Sequence, residues 1–94
     1  MMDVELSPGD SELSVYVENR CVYTFSDVAD GLPYPCDMED VQYLVDDLIN
    51  QMTEDIADWQ TSMTRFDKKI ILGNLENLKS QMVGTIYKEY GDAA

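Results

Sequence analysis

The chain has 94 residues, 19 acids against 6 bases, no histidine and a formal charge of −13 at pH 7. Without imidazole there is no Ser-His or Cys-His nucleophile pair, no histidine metal ligand and no general base titrating near neutrality, so no enzyme is expected. That charge repels phosphates and argues against direct nucleic-acid or anionic-membrane contact, whereas a 45% hydrophobic content is too high for a disordered acidic tail.

Residues 1–10 close on Ser7-Pro8-Gly9-Asp10, a turn signal, and read as a short lead-in. They carry no basic start and no apolar run, so no secretory signal is expected. Leu13, Val15 and Val17 then alternate with polar neighbours, and Cys21, Tyr23 and Phe25 do the same after Glu18-Asn19-Arg20. Period-2 alternation of β-branched and aromatic residues around a short turn predicts a β-hairpin over 11–26. A three-residue loop pairs Val17 with Cys21, Val15 with Tyr23 and Leu13 with Phe25, placing all six on one apolar face. Cys21 is then a small buried hydrophobe. Cys36 follows Pro35 and precedes Asp37, an acidic setting that disfavours a thiolate. Two cysteines suit a reducing compartment, and the spacing leaves a bridge between them open.

Gly31, Pro33 and Pro35 make residues 27–36 a loop, with one helical turn near Ser26–Asp30 and Tyr34 extended between two prolines. At Asp37 the period changes. Asp37 is a good N-cap with Asp40 at the third helical position. Val41, Leu44, Val45, Leu48, Met52, Ile56, Trp59 and Met63 recur at spacings of three and four, which predicts an amphipathic helix over 37–62. Thr64 with Asp67 resembles a capping box that opens a second helix over 65–90. Its stripe is Ile71, Leu75, Leu78, Met82 and Ile86, flanked by Leu72, Val83 and Tyr90. Gly73 inside it costs about 1 kcal/mol relative to alanine, and Gly91 is a natural stop. Lys68 and Lys69 at its start oppose the helix dipole and define no site. The expected architecture is α+β, one small domain with an N-terminal hairpin packed on an antiparallel pair of long helices. No apolar run reaches the roughly 18 residues of a membrane span.

Residues 21–64 hold ten acids and no base, whereas residues 65–94 hold four acids and five bases. On a helical wheel of about 100° per residue, Asp40, Asp47, Glu54 and Asp58 fall within roughly 40° of one another, away from the apolar stripe. Glu39 and Asp46 flank them on one side, Asp37 and Asp55 on the other. These eight carboxylates span about 33 Å of helix, about 4 Å of axis per charge against about 3.4 Å per phosphate along a DNA strand. Like-charged pairs such as Glu54/Asp58 each cost a few tenths of a kcal/mol, a repulsion expected where charge has a use. Tyr43 lies on the acidic side, placed to stack on an arginine, and Tyr34 is a second aromatic candidate at a loop tip.

Size, charge and charge layout resemble small acidic DNA-mimic proteins, which phages and mobile elements direct against restriction enzymes, CRISPR effectors or repair enzymes. The expected function is non-enzymatic inhibition in the cytoplasm, with the carboxylates standing in for phosphates in a partner's basic channel and releasing its counterions. An antitoxin or immunity protein against a basic toxin shares the charge steering but relies on one or two aromatic hot spots. An adaptor subunit of a larger assembly, or a homodimer rather than a monomer, would instead depend on Leu72 and Val83. The EF-hand spacing is absent, and no cofactor or metal is expected.

Overall fold

A computed structural model describes residues 2–7, 9, 11–33, 36–57 and 63–91. Three strands, β1 (Met2–Ser7), β2 (Glu12–Val17) and β3 (Arg20–Phe25), form an antiparallel sheet in the order β1-β2-β3. A 3-10 turn (Val28–Gly31) leads to three helices, α1 (Met38–Ala57), α2 (Arg65–Leu72) and α3 (Leu75–Tyr90). The fold is α+β, with a third strand and a third helix beyond the expectation.

The third strand is the supposed lead-in. Met2, Val4 and Leu6 alternate with Asp3, Glu5 and Ser7, and they pair with Val17, Val15 and Leu13. The same period-2 logic that marks β2 applies to β1, with acids occupying its solvent face. A three-stranded sheet also gives the hairpin the support that an isolated one lacks.

The hairpin register differs from the expected one at its tip. Leu13 faces Phe25 and Val15 faces Tyr23, as the alternation requires, but Val17 faces Arg20 and Tyr16 faces Cys21. The loop is two residues, Glu18 and Asn19, both at positive φ (53° and 64°) as a type I′ turn demands. An irregularity between Val15 and Tyr16 restores the pairing beyond it, leaving Val22 as the extra residue on β3. The shift carries Cys21 away from the apolar face. It is an exposed thiol rather than a buried one, Cys36 is buried, and the two are not bridged. Arg20 takes the place opposite Val17 instead.

The helix over 65–90 is broken in two. Gly73 ends α2, and Asn74 at φ −132° steps outside helical geometry. The Asn74 amide donates to the Ile70 carbonyl at 2.7 Å, occupying an acceptor that a continuous helix would bond through its backbone. At the start of α2, the Thr64 hydroxyl accepts from the Asp67 N–H at 3.1 Å, the cap that the sequence signals.

The core joins Leu13, Val15, Val17 and Phe25 of the sheet to Val41, Val45, Leu48, Met52 and Ile56 of α1, Ile71 of α2, and Leu78, Met82 and Ile86 of α3. Each such fully buried side chain contributes about 1.5–3 kcal/mol. Helix α3 lies against both β1 and α1. The Gln81 amide donates to the Met2 carbonyl at 3.2 Å. The Cys36 thiol, just ahead of α1, donates to the Tyr90 carbonyl at the end of α3 at 3.1 Å. The start of α1 therefore meets the end of α3, and these two helices run antiparallel. Tyr34, Asp58, Trp59 and the end of the helix expected over 37–62 lie outside the described residues.

Candidate functional site

The helix wheel of α1 sorts its acids by what they meet. Its buried line, Val41, Val45, Leu48, Met52 and Ile56, sets the direction of the core. Acids at the margins of that line reach neighbouring elements, and acids opposite it face solvent.

Asp37 and Asp40 close the N-terminus of α1 reciprocally. The Asp40 N–H donates to Asp37 Oδ1 at 2.9 Å, and the Asp37 N–H donates to Asp40 Oδ2 at 3.1 Å. This is a capping box built from two aspartates. Asp40 is half-buried and its carboxylate is bound to backbone, so it is not the freely projecting charge the wheel alone suggests.

Asp46 faces α3 and pairs with Lys79, whose ammonium is held above its ordinary pKa by that hydrogen bond and the Asp46 charge. Asp55 faces the sheet and accepts a hydrogen bond from the Tyr23 hydroxyl. Burial, then the Asp55 hydrogen bond and charge, push the Tyr23 hydroxyl up to about 12. Both acids thus fasten α1 to its neighbours.

What projects outward is Glu39, Asp47 and Glu54, all exposed, with Tyr43 72% exposed among them. Asp47 also accepts from the Gln51 amide one turn on, at 3.2 Å. From Glu39 to Glu54 is about 22 Å of helix, so these three carboxylates stand about 11 Å apart on average. Pointwise matching to phosphates at about 3.4 Å does not extend to this outward set. The field is less reduced. Of the seven acids from Asp37 to Asp55, Asp46 is the one that meets a cation among the described residues.

The fold also positions residues that sequence reasoning passed over. Arg20 Nη2 meets Asp67 Oδ1 at 3.0 Å and Nη1 meets Oδ2 at 3.5 Å, with Asp67 buried in α2. The signal was present in the turn. A two-residue loop puts Arg20 on the core-facing side of β3, and a long cation there needs an anion. Among the described residues, no three His, Cys, Asp or Glu side chains gather where they could hold a metal ion. No helix among them is long and apolar enough to cross a membrane.

No protein-family model matches the chain, and comparison with curated proteins and with solved structures finds no match either.

Proposed function

We propose that this protein is a non-enzymatic acidic ligand that blocks the nucleic-acid channel of a basic, DNA- or RNA-processing protein, a host defence nuclease being the concrete case. The observation that carries this reading is the outward face of α1, where Glu39 and Asp47 flank an exposed Tyr43 one turn to either side, Glu54 follows about 16 Å along the axis from Tyr43, and no base lies on the helix. The field of the helix steers a basic surface toward it, and the three projecting carboxylates make the charge-assisted contacts. Tyr43 supplies an aromatic platform for an arginine at the centre of the face.

The spacing of these contacts also favours a second reading. Tyr43 between Glu39 and Asp47, one turn to either side, suits a compact hot spot on a basic toxin, as in an immunity protein, better than a long run of phosphate surrogates.

The test uses the triple variant Glu39→Gln/Asp47→Asn/Glu54→Gln and a Tyr43→Ala variant in pull-downs from bacterial lysate, with and without excess DNA. The first reading expects a nucleic-acid-processing complex that DNA displaces. It also expects the triple variant to lose about tenfold in affinity per carboxylate while remaining folded. Capture of one small basic protein, indifferent to DNA and lost with Tyr43→Ala, selects the second. Unchanged capture by the triple variant removes the α1 face from both.

A further inference from the structure

Helix α2 presents a surface of opposite chemistry. Its buried residues are Asp67 and Ile71. On a wheel of about 100° per residue, Leu72, Arg65, Lys69 and Phe66 fill an arc of about 120° on the far side. Phe66 is 55% exposed and Leu72 47%, and Arg65 and Lys69 are exposed between them. Neither cation is in an ion pair among the described residues. Two cations bracketed by two large apolar side chains are an unusual exposure on a chain of charge −13.

We propose that this face of α2 docks on the outward face of α1 in a second copy of the chain. With the two helices antiparallel, Lys69 would meet Asp47 and Arg65 would meet Glu54, while Leu72 packs on Tyr43 and Phe66 on the α1 surface between Asp47 and Glu54. The argument is charge complementarity at short range. At physiological ionic strength charges are screened beyond about 8 Å, and the body measures 38 × 24 × 23 Å. The facing patches therefore outweigh the net repulsion of two acidic chains. Both faces point outward on one chain, so the contact is intermolecular. Two copies that make it reciprocally close into a two-fold dimer, and copies that make it once each leave one face of either kind free for a ring or longer assembly. An eight-residue helix is about 12 Å long, so the interface is small and the association weak and reversible. This inference does not rest on the proposed function, although partner and second copy would compete for α1.

Sedimentation of the pure protein tests it, from about 10 µM to about 1 mM and in about 150 mM and about 500 mM salt. In the lower salt the weight-average mass should climb with concentration from the 10.7 kDa of one chain to that of two or beyond, and it should fall back in high salt. Arg65→Glu/Lys69→Glu and Asp47→Lys/Glu54→Lys should each stay monomeric, and an equimolar mixture should associate again, because each supplies the other's missing charge. Far-UV circular dichroism checks folding. Phe66→Gln/Leu72→Gln, which leaves every charge in place, should weaken association about tenfold. A wild-type mass fixed at 10.7 kDa overturns the proposal. So does association that salt strengthens, a charge-reversed variant that assembles like wild type, or a mixture that stays monomeric.

Discussion

A carboxylate at the position of Asp67, 1% exposed, is destabilising unless it is compensated. Burial pushes its pKa up, but hydrogen bonds from Arg20 and from Thr64, with the Arg20 charge, outweigh that effect and hold it below the ordinary carboxyl range. A folded pKa below the unfolded one means stability that is present above about pH 3.9 and lost as pH falls through the folded value. Replacing Arg20 by methionine inverts the sign, because the buried carboxylate then has burial without its cation. Arg20→Met should cost about 2 kcal/mol at pH 7, less than a fully buried pair because the arginine side chain is 54% exposed. The deficit should shrink as pH falls toward about 4, where protonation relieves Asp67 in the variant, and shrink further below it, where the wild type loses the advantage of its lowered pKa. Urea unfolding of both proteins at pH 7 and pH 3.5 measures this, and a deficit independent of pH would place the effect elsewhere.

The elements were legible where one period dominated. The apolar positions of α1, spaced three and four apart from Val41 to Ile56, are buried, Leu44 only partly, and the caps at Asp37/Asp40 and Thr64/Asp67 form as read. What escaped the sequence was decided by single residues against the pattern. Asp3 and Glu5 hide the alternation of Met2, Val4 and Leu6, since two acids among six residues resemble a polar tail. Gly73 and Asn74 interrupt a stripe that continues on either side, and periodicity alone sees the stripe. The hairpin tip turned on Asn19, which accepts a left-handed backbone more readily than most residues. The face of α1 was legible as a charge pattern only. Which acids fasten the helix and which project depends on Tyr23 and Lys79, distant in sequence from α1. At the turn, Asn19→Val should cost about 1–2 kcal/mol, because a β-branched residue at φ 64° clashes with its own backbone. Chemical denaturation would show it, and a neutral result would mean that the turn relaxes to the three-residue form.

Across the whole molecule, −13 charges on a 94-residue body make self-repulsion a global term. The ion pairs Arg20–Asp67 and Lys79–Asp46 are local exceptions. Added salt should therefore raise the melting temperature, by several degrees between about 20 mM and about 500 mM sodium chloride, since screening acts on many repulsive pairs and few attractive ones. A melting temperature that falls with salt would mean that the few pairs dominate. The seam between β1 and α3 has a consequence of another kind. Met2 is joined to Gln81 across 79 residues, and the core needs Leu78, Met82 and Ile86 to be complete. On a ribosome, β1 emerges long before α3, which packs against it, and α1 waits likewise for that helix. The core of the sheet and α1 stays unfinished until α3 has left the exit tunnel, and folding is deferred until then. During that interval the density of negative charge keeps unfinished chains apart, so the composition that weakens the folded state protects the nascent one from aggregation.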